Sequence, residues 1–334
     1  MDSATLPVSF DDLYTLTTDL LPSYRQLRYN GDGIAMAFDD FSSADQQVVG
    51  QMYQHLLDLL ALLNEHHRHP DETFSRLIAY GDSVNWDALL QQVRGITSPD
   101  PHHAKVLHDL RGGGLMALMV YFQMIHLDLV KPSDLHRIFN LTRDQLKIMR
   151  NSVRGIDPTG FEHDLSRNLH HIDLLLEKWG SGEGHQIQGA RAEVLVDCRF
   201  RGWVSERCLE FSALDRVIYN LINNATAHTA DGRVYLSIFP LGAEPANLRF
   251  VVINRVTAAQ EVRILDRFPA GPGQLFVGGF TTGGSGLGMR ICADFVGNAY
   301  GIPSVAQALE KGYLGARFID GHFVAWFHWP IVSE

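Results

Sequence analysis

The chain has little that would place it in a membrane or outside a cell. None of its 334 residues falls in an apolar run long enough to cross a bilayer, which takes about twenty consecutive apolar residues. No charged and then apolar leader with a small-residue cleavage site opens it. The three cysteines, Cys198, Cys208 and Cys292, are an odd, scattered set. They give neither a disulfide framework nor metal-ligand spacing, so the expectation is a reducing, cytoplasmic setting with no membrane span. An excess of base is missing too. Lys and Arg total 28 against 38 Asp and Glu, a formal net charge of −10, which argues against a general nucleic-acid or anionic-membrane binder.

What is present is ordinary globular material, 46% hydrophobic and 20% charged, in a chain long enough for two or three domains. In residues 1–98, Val48, Val49, Met52, Tyr53, Leu56, Leu57, Leu60 and Leu63 recur at helical spacing and predict a helix over 44–65. Shorter helices are expected over 10–21 and 86–93. The cluster His66-His67-Arg68-His69-Pro70 has no acidic or cysteine partner at ligand spacing. It reads as a solvated helix end stopped by proline rather than a metal site. By position this region is an input or dimerisation module.

Ser98-Pro99-Asp100-Pro101 marks a linker, after which one helix is expected over 102–128. It carries His108-Asp109-Leu110-Arg111, then Gly112, Gly113 and Gly114, then a stretch from Met116 to Ile125 that is apolar around most of its circumference. Lys131-Pro132-Ser133 breaks the chain, with Ser133 as the expected N-cap of a second helix. That helix has the stripe Leu135, Ile138, Phe139, Leu146, Met149 and Val153, and Gly155 and Pro158 stop it. A lone hairpin cannot enclose a core, and two can, so the pattern predicts a dimeric four-helix bundle.

From about residue 160 the pattern is mixed. Strands are expected over 193–198, 207–211, 233–239, 248–253, 314–320 and 323–329, rich in β-branched and aromatic residues, with helices at 164–178, 214–228 and 287–297. In the middle helix Leu214, Val217, Ile218, Leu221, Ile222 and Ala225 form the apolar stripe, while Asn220, Asn224 and His228 share another face. Asparagine is a poor helix former, so Asn220, Asn223 and Asn224 together ask for a ligand or a solvated face. Further on, Gly284, Gly286 and Gly288 alternate just before a helix, an arrangement of backbone amides suited to phosphate. No Lys-Ser/Thr follows, so this is not a Walker A loop.

Two of these stretches together resemble the ATP-binding domain of sensor histidine kinases. Its N box is matched at Asn220, Leu221, Asn224, Ala225, His228 and Thr229, and its G2 box at Phe280, Thr281, Thr282, Gly284, Gly286, Leu287 and Gly288. The His-Asp-Leu-Arg sequence at 108–111 resembles the H box of the same kinases. The resemblance implies that Asn224 gives a side-chain oxygen to Mg²⁺ and that Asn220 contacts the phosphates or the metal shell. It implies that His228, Thr281, Thr282, Gly284, Gly286, Leu287 and Gly288 belong to the ATP site. His108 would attack the γ-phosphate, with Asp109 orienting the ring and accepting a proton. His163-Asp164-Leu165 repeats the tripeptide without the following Arg-Gly, and is assigned to the start of the ATP-binding domain.

The chain departs from the family in two places. Where the family's G1 box has Asp-x-Gly-x-Gly, this chain has Asn254-Arg255-Val256-Thr257-Ala258. Asn254 can still accept a hydrogen bond from an adenine amino group, without the help of charge. Gly112 stands where many members carry the Thr or Asn that positions water for dephosphorylating the regulator, so weak or absent phosphatase activity is expected. The three glycines read either as a hinge beside His108 or as close helix packing.

The expected architecture is therefore a helical region at 1–98, a phosphoacceptor hairpin at 99–157 and a two-layer α/β ATP-binding domain at 158–334. The implied activity is a soluble homodimeric histidine kinase that uses Mg·ATP and passes phosphate to an aspartate of a response regulator. The alternative is a degenerate phosphotransfer or scaffold relative without ATP chemistry.

Overall fold

The computed structural model describes residues 5–16, 35–180, 184–187, 190–242, 246–278, 286–302 and 304–332. The chain forms two compact units, Ile34–Asp164 and Leu165–Glu334, the latter including the N-terminal Met1–Gly33. Neither boundary falls at 98, because the helices on either side of that position share one core.

In chain order, the first element is α1 (Phe10–Tyr14), capped by Ser9 through Asp12 N–H. The helix expected to reach residue 21 ends here, where the Thr15 hydroxyl donates to Asp11 O and closes the last turn.

The helical unit contains β1 (Met36–Ala37), α2 (Ser43–Leu63), α3 (Pro70–Ser83), α4 (Trp86–Gly95), α5 (Pro101–Arg111), α6 (Gly113–His126), α7 (Leu135–Ser152), β2 (Val153–Arg154) and α8 (Pro158–Leu165). Val49, Met52, Leu56 and Leu59 of α2 are buried in one cluster with Leu107, Leu110, Leu118, Phe122, Ile138, Leu146 and Met149 of the hairpin. Part of the hairpin's apolar surface is thus covered by α2 of the same chain. β1 pairs in parallel with β2 at Met36–Val153, tying the two ends of the unit together.

Several local expectations change. The helix expected over 102–128 is broken at Gly112, whose φ of −89° and ψ of −167° are extended. A Cβ there would stand 2.9 Å from His108 O, closer than a side chain tolerates. Ser133 is not an N-cap, because a 3₁₀ turn at Pro132–Asp134 precedes α7 and Asp134 accepts from Lys131 N–H instead. Pro70 starts α3 rather than ending a solvated tail. His66 is buried, its Nδ1–H donating to Leu63 O at 2.7 Å.

The second unit contains β3 (Arg167–His171), α9 (Asp173–Trp179), β4 (His185–Ile187), β5 (Ala190–Cys198), β6 (Trp203–Arg207), α10 (Cys208–His228), β7 (Arg233–Pro240), β8 (Asn247–Arg255), α11 (Ala258–Arg267), α12 (Gly288–Ala299), α13 (Val305–Glu310), β9 (Leu314–Ile319) and β10 (His322–Pro330). Its sheet runs β4-β5-β7-β8-β10-β9, with β5 and β7 parallel and the other neighbours antiparallel. The helix expected over 164–178 is split, since Arg167–His171 pairs with β6 as a strand and His170 stacks on Phe211. Asp164, placed by its sequence in the ATP-binding domain, is buried in the helical unit against Arg150. The strand expected over 207–211 is the first turn of α10, where Glu210 turns back to accept Glu206 N–H at 2.9 Å.

Helices α10 and α12 lie over one face of the sheet. The other face is covered by residues 5–16. Val8, Leu13 and Leu16 are buried against Tyr235, Phe239, Val251, Ile253, Val324 and Trp326. Arg249, fully buried in β8, donates to Leu13 O, Tyr14 O and Leu16 O, and its Nε–H to His328 Nε2. The carbonyls of Leu13 and Tyr14 end α1 and that of Leu16 follows it, so Arg249 serves as a C-cap delivered from the sheet. Arg199 adds a cation–π contact, its guanidinium 3.7 Å from the Phe10 ring centre.

Candidate functional site

The nucleotide-binding candidates are placed by α10, β8 and α12. Along α10 the apolar stripe is buried, while Asn220, Asn223, Asn224 and His228 are partly exposed on one side. The three asparagines have different tasks. Asn223 accepts a hydrogen bond from His185 Nε2 at 2.7 Å and so ties α10 to the edge strand β4. Asn220 lies against the start of α12, where a Cβ on Gly288 would be 3.9 Å from its Oδ1. It also hydrogen-bonds the Cys292 thiol one turn further along α12.

The first turn of α12 has no side-chain cap, its N-cap position being Leu287. The positive end of its dipole lies beside Asn220, the physical basis of anion binding at helix N-termini. Gly286 has a φ of +70°, a conformation that favours glycine. Gly278, with a φ of +92°, lies close by, since a Cβ on it would be 3.8 Å from Gly286 O. The two ends of the G2 segment thus meet. Phe280, Thr281, Thr282 and Gly284 lie outside the described residues.

Asn254 is buried near the end of β8. Its neighbours Val251 and Ile253 face the layer formed by residues 5–16, so Asn254 faces the side on which α10 packs. Its Nδ2 is 3.4 Å from Arg255 O. The stretch matched to the G1 box runs from the end of β8 through Val256 to Thr257, the N-cap of α11, which begins at Ala258 with a reciprocal capping box between Thr257 and Gln260. Gln260 also donates to His228 O at 3.2 Å, closing the end of α10. Burial pushes the His228 imidazole below its ordinary pKa, and the nearby Arg263 guanidinium adds to the shift.

Sequence reasoning did not single out Arg290. Its guanidinium reaches Val277 O and Asp294, joining the first turn of α12 to the foot of the G2 segment. The signal was its place directly after the Gly-Leu-Gly-Met run.

His108 and Asp109 belong to the other unit. Both are partly buried, in the last turn of α5 between the buried Leu107 and Leu110. Arg111 turns away from them and donates to Val93 O and Ile96 O at the end of α4.

No family model and no curated protein matches this chain. Among solved structures it is similar to the mycobacterial sensor histidine kinase MprB, at 16% identity and a TM-score of 0.30 over 50% of this chain and 99% of that one. It is also similar to the Acinetobacter baumannii histidine kinase AdeS, at 12% identity and 0.28 over 68% and 98%. The histidine kinase domain of the Erythrobacter litoralis EL346 blue-light activated histidine kinase gives 14% and 0.29 over 68% and 90%. With TM-scores this low, these likenesses carry none of the residue assignments, which rest on the side chains themselves.

Proposed function

We propose that the chain is an ATP-dependent phosphotransferase and, more particularly, a histidine kinase that phosphorylates His108. The observation that carries this reading is the glycine-led N-terminus of α12 set against Asn220, with Gly288 at the contact. That arrangement suits the phosphates of a nucleotide. Asn254 suits a base amino group, through its Oδ1. Asn224, one turn after Asn220, is the candidate ligand for Mg²⁺, which when bound would offset charge on the phosphates.

In the reaction, an imidazole nitrogen of His108 gives its lone pair to the γ-phosphorus as the bond from that phosphorus to the ADP oxygen breaks. ADP leaves with that electron pair, and Asp109 takes the proton from the other ring nitrogen. The same phosphoryl group would then pass to a carboxylate of a response regulator. A homodimer is part of the proposal. Met116, Val120 and Leu127, exposed along and just beyond α6, form the apolar stripe that supports it.

One observation favours a second reading, a phosphotransfer or scaffold relative without ATP chemistry: Val256 and Ala258 stand at the two glycine positions of the G1 box, and a capped helix begins at the second of them. Nucleotide-dependent thermal stabilisation separates the two. Mg·ATP raises the melting temperature of the kinase and not that of the relative, because a ligand that binds only the folded state stabilises it. The Asn224→Ala variant should lose most of that rise.

A further inference from the structure

The break at Gly112 leaves α5 ending one turn after His108, and the carbonyls of a last helical turn need donors from elsewhere. His108 O receives Gly112 N–H at 2.9 Å. Leu110 O receives Nε2–H of Gln145, which reaches it from α7 at 3.3 Å. Gln145 is fully buried and sits beside Leu146, at the centre of the helical core.

The choice of residue is informative. Gln145 Oε1 is buried with no hydrogen-bond partner among the described residues. A buried acceptor without a partner lowers stability, and leucine or methionine would fill a similar volume without that cost. Packing alone does not account for a glutamine here. Its one bond is spent on the turn that carries His108, two residues before Leu110.

We infer that Gln145 is a positioning residue for phosphorylation of His108: its amide holds the last turn of α5 at the Gly112 break and so fixes the aim of the imidazole. The inference rests on the reading of His108 as the phosphoacceptor. The break is then a fixed feature of the acceptor helix, held from α7, and not a loose joint.

The test compares the full chain with its Gln145→Leu and Gln145→Glu variants, measuring the rate of ATP-dependent labelling of His108 across ATP concentrations, with melting curves for each. Gln145→Leu should lower the rate at saturating ATP by about tenfold or more, the scale expected when a reacting group loses its aim. Its KM for ATP should stay at the wild-type value, at a temperature where both proteins are fully folded. Gln145→Glu can donate to Leu110 O only when protonated. Its rate relative to wild type should therefore recover as the pH falls toward about 6, given that burial raises a carboxyl pKa. A rate for folded Gln145→Leu equal to wild type, or a Glu variant whose ratio to wild type ignores pH, overturns the inference and leaves the kinase reading standing. A wild-type chain that takes no label from ATP overturns both.

Discussion

Asn220 of α10 and Gly288 of α12 face one another: a β-carbon on residue 288 would stand 3.9 Å from the Asn220 side-chain oxygen. That distance is an ordinary van der Waals contact, so the glycine is not needed for folding. Its lack of a side chain keeps the Asn220 side of the first turn of α12 uncrowded. Gly288→Ala should therefore fold with a melting temperature close to wild type while binding ATP about tenfold more weakly, since a methyl group would crowd the approach to the helix N-terminus. Calorimetric titration with Mg·ATP, alongside a melting curve, checks both halves.

Asn254 is a buried amide in the position where the family has a carboxylate. Asn254→Asp should destabilise the ligand-free protein, because an ionised carboxylate is costly to bury. It should tighten adenine nucleotides relative to guanine nucleotides, because a charged acceptor makes the stronger bond to an amino donor. Competition between ATP and GTP for the two proteins reads out the second effect.

The buried pair Arg249 and His328 should make the second unit sensitive to acid. Burial and the neighbouring Arg249 push the His328 pKa down to about 3, from an ordinary value of 6.5. The folded state thus holds this imidazole neutral. Its contribution is intact above about pH 6.5 and is lost as pH falls toward 3, at up to about 1.4 kcal/mol per pH unit. Urea unfolding at pH 7 and pH 5 should show the loss, and His328→Gln should reduce the slope. Arg249→Met, which strips the donors from Leu13 O, Tyr14 O and Leu16 O, should cost about 2–3 kcal/mol at neutral pH.

At the end of the helical unit, Arg150 holds Asp164 through two hydrogen bonds of 2.6 and 3.0 Å, with the carboxylate buried. Tyr53 donates to Asp157 at 2.6 Å nearby. Asp164→Ala should destabilise this unit by about 3 kcal/mol, since it leaves a mostly buried guanidinium without its partner. The double variant Arg150→Met with Asp164→Leu should recover much of that loss. A double-mutant cycle by urea unfolding measures the coupling.

Elements with a clean apolar stripe were legible in the sequence. The helices α2, α10 and α12 and most of the sheet fall close to where periodicity places them, because burial on one side dictates residue choice at each turn. What escaped was set by contacts distant in sequence. The strand Arg167–His171 is polar and short, and only pairing with β6 makes it a strand. The cover over the far face of the sheet was missed although its trace is visible. Residues 248–253 and 323–329 are almost wholly free of the alternation expected of a sheet with one wet face, which signals burial on both sides. The run of glycines at 112–114 was read as either a hinge or close packing. The structure shows a break at Gly112, a choice made by backbone geometry and by Gln145 from α7.

The central claim is that His108 accepts phosphate from ATP bound at the α10–α12 site. Incubating purified protein with γ-labelled ATP and Mg²⁺, beside His108→Ala and Asn224→Ala, tests it most directly. Acid-labile label on the wild type and on neither variant is the predicted result. A wild type without label, or label that persists in His108→Ala, would contradict it.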